Sequence, residues 1–136
     1  MTVKKNSLKV FRSSAGFGLK TLVNIKKEET IIEYKGKRIL EDEVNAHPNR
    51  YLFELDDKYT IDGSARSNTA RYINHSCKPN GEAVHYTDED RIYIEAIRNI
   101  KAGEELTYHY GKAHFNEYIK PKGCRCNKCR PLINGK

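Results

Sequence analysis

The apolar residues of this chain come in short β-branched and aromatic runs, each closed by a turn signal before a helical period can develop. "LKVFRS" alternates and ends at the Ser-Gly stretch "SSAGFG", and "TIIEYKGKRI" breaks at Gly36. "YLFEL" and "YTID" flank "DDK", and "AVHY" and "RIYIEAI" flank "TDED"; each pair carries a hairpin signal. "ELTYHY" is a further strand candidate. The helical stretches are brief: "EDEVNAH" stops before Pro48, "SNTARYIN" makes one or two turns capped by Ser67, and "HFNEYI" is a third. With no repeat and no low-complexity linker, the class is mostly β with a few short helices.

A length of 136 residues fits one domain with a modest core. No apolar run approaches the ~20 residues of a membrane helix, and "MTVKKNSLKV" lacks the apolar region of a signal peptide. The expectation is a soluble intracellular protein with no membrane partner. The net charge of +7 is compatible with an acidic or nucleic-acid-associated partner without requiring direct nucleic-acid binding. The basic residues are scattered, apart from Lys4-Lys5, Lys26-Lys27 and the segment Lys112 to Arg130.

Four cysteines need a role. Cys77 stands alone, whereas Cys124, Cys126 and Cys129 form "CRCNKC". Without a secretory signal, disulfides are not expected. Thiols packed this closely between Lys, Arg and Gly have the character of zinc ligands. A closed tetrahedral site needs a fourth ligand. Cys77 is the remaining cysteine, and His75, His114 or water can also fill the position.

Two further stretches have both a structural and a chemical reading. Gly16 to Gly18, "GFG", joins two strand candidates: either a tight turn or a loop whose backbone approaches a ligand. It lacks the following helix and the spacing of a dinucleotide fingerprint. In "GEELTYHYG", Tyr108 and Tyr110 are two apart and share a face of a strand. They are either core residues or the walls of a narrow aromatic channel suited to a cation.

Singly these motifs are weak, but their order is specific. "SSAGFGLKT", "IIEYKG", "YLFELDDKYTIDG", "NTARYINHSCKPN", "IKAGEELTYHYG" and "CRCNKC" follow one another from about Leu8 to Arg130. In this the chain resembles the SET-domain family of protein lysine methyltransferases. The resemblance implies a fold of small β-sheets around a pseudoknot-like crossing, with "NHSC" passing beneath "GEELTYHYG". It divides the chain into a SET domain, 1–111, and a post-SET-like zinc-binding tail, 112–136.

The resemblance further implies S-adenosylmethionine as methyl donor and a lysine on a basic, histone-like protein tail as acceptor, meeting at a narrow channel. Gly16, Phe17 and Gly18 match the segment that approaches the cofactor through its backbone. Asn74 and His75 match the cofactor-binding pair, Asn74 near the amino-acid end and His75 near the adenine. Tyr110 matches the catalytic tyrosine and also lines the cofactor site. Tyr108 stands where the family has Phe or Tyr; a phenol there leaves less room for a methylated amine, which implies mono- or dimethylation. Arg71 and Tyr72 are expected to support the crossing. Cys77 matches the ligand that joins Cys124, Cys126 and Cys129 on one Zn²⁺.

Two departures from the family pattern stand out. His109 replaces the usual Asp between the tyrosines, putting an imidazole where the family has a carboxylate. Only Asn127 and Lys128 separate the second and third tail cysteines, fewer than usual. Acidic residues such as Glu28, Glu29, Asp56, Asp57, Glu41 to Glu43 or Asp88 to Asp90 can receive a basic tail, although most read equally well as solvated turns. Two alternatives have other functions: a non-catalytic SET-like module binding peptide or nucleic acid, and a zinc-stabilised nucleic-acid-binding protein. The expected assembly is a monomer or homodimer. The place of action is the cytoplasm if the protein is bacterial, with a nucleus or chromatin as the other site.

Overall fold

A computed structural model describes residues 3–13, 16–56 and 58–110. Strands β1 (Leu8–Ser13) and β2 (Gly16–Thr21) form an antiparallel hairpin in register from Leu8↔Thr21 to Ser13↔Gly16. Next come β3 (Thr30–Tyr34), β4 (Lys37–Leu40) and the helix α1 (Glu41–Ala46). Strands β5 (Leu52–Glu54) and β6 (Tyr59–Asp62) make the first expected hairpin. A 3₁₀ turn at Thr69–Tyr72 leads into β7 (Asn74–His75). The second expected hairpin is β8 (Gly81–Tyr86) with β9 (Arg91–Ala96), and β10 (Thr107–Tyr108) follows. Three small sheets result: β1-β2, β4-β6-β5, and the five-stranded β3-β9-β8-β10-β7. The mostly β class with short helices is the observed architecture.

Three local expectations need correction. Gly16–Gly18 is the opening of β2, paired along its length with β1, because the chain reverses before Gly16. The residue capping the 3₁₀ turn is Asn68, and its side chain makes no cap bond. Instead its Nδ2 donates to the Gly63 carbonyl at 3.0 Å, and its Oδ1 accepts from the Lys35 amide at 3.0 Å. Ser67 is exposed. "ELTYHY" contributes only Thr107 and Tyr108 to a ladder. The helical expectation for "HFNEYI", and the whole of 112–136, fall outside the described residues.

The core follows from alternation in β9, where Ile92, Ile94 and Ala96 point inward between more exposed neighbours. Leu19, Ile25, Ile31, Ile73, Ile100 and Leu106 complete it, each at most 1% exposed. Burying each such side chain stabilises the fold by about 1.5–3 kcal/mol. No helix among the described residues is long and apolar enough to cross a membrane.

The connection that places the site is β10. It lies between β7 and β8 and runs parallel to both, with Asn74↔Thr107, His75↔Tyr108 and Tyr108↔Gly81 in register. Parallel neighbours need a crossover between them, and here the β8–β9 hairpin is part of it. Asn80 fastens the crossing. Its Nδ2 donates to the Glu105 carbonyl at 2.8 Å, its Oδ1 accepts from the Thr107 amide at 2.9 Å, and its own amide donates to Thr107 Oγ1 at 3.2 Å.

Candidate active site

Successive residues of a strand face opposite ways, so Asn74 and His75 serve different surroundings. Asn74 reaches toward β2. Its Nδ2 donates to the Phe17 carbonyl at 3.0 Å and to Glu105 Oε2 at 2.8 Å. Backbone and carboxylate thus meet at the start of β2. Gly16 has φ +105°, a conformation that glycine adopts without steric cost. A Cβ on Gly18 would stand 2.7 Å from Glu105 Oε2 and 3.2 Å from Asn74 Nδ2. The lack of a side chain there lets the Glu105 carboxylate, the Phe11 ring and the Asn74 amide close on the backbone. The Phe17 side chain is 57% exposed, edge-on to Tyr72 at 6.2 Å between centroids, with the Arg12 guanidinium 5.6 Å from its ring.

His75 is buried on the other side. The Tyr110 amide donates to its Nδ1 at 3.1 Å, so that nitrogen carries a lone pair and the ring proton belongs on Nε2. Nε2 in turn faces Cys77 Sγ at 3.4 Å. The His75 ring also packs edge-on against His109 at 4.5 Å and Tyr110 at 5.5 Å. His109 is exposed while Tyr108 is buried, as strand alternation requires. The substitution of Asp by His therefore lies off the tyrosine face and meets His75 instead.

Tyr108 and Tyr110 come together, ring centroids 4.9 Å apart, although Tyr110 lies just past the end of β10. The Tyr110 hydroxyl donates to the Ile73 carbonyl. Burial raises the pKa of Tyr108 well above that of an ordinary phenol, and the neighbouring Tyr110 and Tyr34 add to it. Tyr110 is raised in the same way, by burial first; Arg50 opposes the rise, and Tyr51 and Glu105 reinforce it. Both phenols are neutral across the physiological range. Tyr34 belongs to the same wall: it is buried, and its hydroxyl donates to the Tyr51 carbonyl at 2.7 Å. Arg71 stacks beneath, its guanidinium 4.4 Å from the Tyr51 ring and 5.4 Å from that of Tyr72. Its Nε is buried without a hydrogen-bond partner among the described residues. The supporting role expected of Arg71 thus rests on cation–π stacking.

The structure brings Gly18, Phe17 and Asn74 into one cluster, and His75, Cys77, Tyr108 and Tyr110 into another. The two join through β7. Cys124, Cys126 and Cys129 lie outside the described residues, and among the described residues no group of three or more His, Cys, Asp or Glu side chains is arranged to hold a metal. Sequence reasoning missed Glu105, Asn80 and Tyr34. Glu105 reads as a solvated charge in "GEEL" and Asn80 as a turn residue before Gly81. Only the crossing of two distant segments reveals their contacts.

Comparison with known proteins supplies the family. The SET domain family model matches residues 16–111. Histone-lysine N-methyltransferase trithorax of Drosophila virilis is 38% identical over 141 aligned positions, covering 96% of this chain and 4% of the relative. Histone-lysine N-methyltransferase SUV39H2 of Xenopus tropicalis is 37% identical over 122 positions, covering 76% of this chain and 30% of the relative. A third relative, the H3 lysine-4 specific histone-lysine N-methyltransferase of Chaetomium globosum, is 38% identical over 119 positions, covering 79% of this chain and 11% of its own length. The chain thus spans a minor part of each of these curated relatives. It belongs to the SET-domain family.

Proposed function

We propose that the chain is a protein-lysine N-methyltransferase that uses S-adenosylmethionine. The observation that carries this reading is the pair of neutral phenols, the buried Tyr108 and the half-buried Tyr110, standing 4.9 Å apart beside the polar groups of β7. The fit to the cofactor is chemical. Beside Gly18 the Phe17 carbonyl, the Asn74 amide and the Glu105 carboxylate come together. The carbonyl and the carboxylate are acceptors that suit the α-ammonium of an amino-acid moiety. When bound, S-adenosylmethionine supplies an electrophilic methyl group on a sulfonium.

The chain's residues then have separate tasks. The Gly16–Gly18 backbone and Asn74 would hold the amino-acid end of the cofactor, and His75 would serve its adenine end. Tyr108, Tyr110 and Tyr34 line a water-poor passage for the lysine side chain. At pH 7 the neutral amine of an ordinary lysine costs about 4–5 kcal/mol. A dry passage and a nearby cation both disfavour the ammonium and reduce that cost. The tyrosines are too weakly acidic to serve as general bases, so Tyr110 acts by orienting the reacting groups and by directing its oxygen toward the methyl. Tyr108 narrows the passage, which favours mono- and dimethylated products.

The substrate is a basic protein tail; the relatives named as histone-lysine N-methyltransferases support a histone, and with it action on chromatin. Zn²⁺ held by Cys77, Cys124, Cys126 and Cys129 would close the tail over the site; the support for it is the donor set and its spacing. Calorimetric titration with S-adenosylmethionine tests the cofactor part. The wild type should bind it, and Asn74→Ala should weaken binding at least tenfold. Equal affinity in the two proteins would remove Asn74 from the site.

A further inference from the structure

The charge of this chain is segregated. Residues 1–27 carry seven Lys and Arg and no Asp or Glu; the first acidic side chain in the sequence is Glu28. Residues 28–111, by contrast, hold 11 basic and 17 acidic residues. The body that carries β7 and the tyrosines is therefore acidic, while the segment that holds the β1–β2 hairpin is uniformly basic.

The hairpin displays this charge. Lys4, Lys9 and Arg12 are exposed, and Lys20 is half-buried. Lys9 and Lys20 are direct cross-strand partners, an arrangement of like charges that destabilises a sheet. Neither strand has a carboxylate to relieve it. Glu105 pairs with Lys20 through a β-bridge, but its carboxylate accepts from Asn74 at 2.8 Å. The ion pairs among the described residues join Arg38 and His85 to Asp90, Arg91 to Glu33 and Arg98 to Glu104, and none involves these four cations. Two of the four rest on rings instead. The Arg12 guanidinium is 5.6 Å from the Phe17 ring, and Lys20 Nζ is 5.3 Å from that of Phe11. Strand β1 has a neighbour on one side only, so Lys9 and Arg12 stand on a sheet edge, about 10 Å apart along the strand.

We propose that the β1–β2 hairpin, together with Lys4, is a contact surface for the phosphate backbone of duplex DNA. That backbone presents a charge about every 1.7 Å along the axis, so it meets spaced cations in any register. Such contacts hold a protein on DNA without reading its sequence. They also resolve a conflict of charge. A chain of net charge +7 is repelled by a free basic tail. DNA beside that tail attracts the hairpin and leaves the acidic body to the tail. The choice of DNA as the polyanion rests on the methyltransferase reading with a histone substrate; the basic surface itself does not.

Fluorescence anisotropy of the full chain with a labelled duplex DNA, in salt from about 50 to 200 mM, tests this. With four cations on phosphates, the logarithm of the affinity should fall with that of the salt concentration at a slope of about −3 to −4. Lys9→Gln combined with Arg12→Gln should flatten the slope by about 2 and weaken binding alike on unrelated sequences. Circular dichroism confirms that the double variant is folded, and Lys4→Gln, expected to flatten the slope by about 1, serves if it is not. An unchanged slope in these variants would move the contact off the hairpin and overturn the proposal. Tighter binding to poly-glutamate than to DNA would overturn it too, in favour of an acidic protein partner. A wild-type protein that binds S-adenosylhomocysteine but no DNA would overturn this surface alone. One that binds DNA but no cofactor would overturn the methyltransferase reading and leave the surface standing.

Discussion

At the scale of single residues, the chemistry rests on phenols that stay neutral. Tyr108 has Tyr110 beside it and Tyr34 close enough to raise its pKa further. On the proposed reading, its hydroxyl would take up space that a methylated amine needs in order to rotate. Replacing Tyr108→Phe should extend the products on a histone H3 substrate from mono- and dimethyl-lysine to trimethyl-lysine, read by mass spectrometry. Efficient trimethylation by the wild type would remove Tyr108 as the restriction. The tyrosine pair, Asn74 and His75 were legible in the sequence as candidates because each lies in a short contiguous motif. Glu105 was not, because its meaning depends on Asn74, 31 residues away. Arg71 was legible as a supporting residue, but its stacking on Tyr51 was not.

At the scale of elements, the crossing of β7 and β10 carries the site, and Asn80 is its fastening. Asn80→Ala leaves the Thr107 amide and the Glu105 carbonyl without their partner inside the fold. An unsatisfied buried group costs about 1–3 kcal/mol, so the variant should lose about 2–4 kcal/mol in urea unfolding at unchanged slope. A loss below about 0.5 kcal/mol, the range of an ordinary surface change, would show that the crossing does not depend on this side chain. The hairpins β5–β6 and β8–β9 were readable from turn signals between alternating runs. The short β10 was overextended, because alternation in "ELTYHY" continues past the point where neighbouring strands are available to pair. The cap was misassigned because Asn68 uses both ends of its amide for tertiary bonds instead of the helix end.

At the scale of the whole molecule, three phenols, Tyr34, Tyr108 and Tyr110, are held above the ordinary value, burial being the largest cause for each. The unfolded chain ionises its tyrosines near pH 10, whereas the fold keeps these three protonated. Above that pH the native state holds more protons than the unfolded one, so stability is fully present below about pH 10 and falls as pH rises. Each such phenol adds about 1.4 kcal/mol per pH unit to the fall. The urea midpoint should drop above about pH 10, and less steeply in Tyr108→Phe; identical slopes would contradict the burial of that phenol. The central claim concerns the assembled site, and its most direct test is methyl transfer. Purified protein, replete with zinc, would be incubated with methyl-labelled S-adenosylmethionine and core histones, with Tyr110→Phe alongside. The account predicts label on histone lysine and a loss of at least a hundredfold in the variant. A wild-type protein that neither labels histones nor binds the cofactor would contradict it.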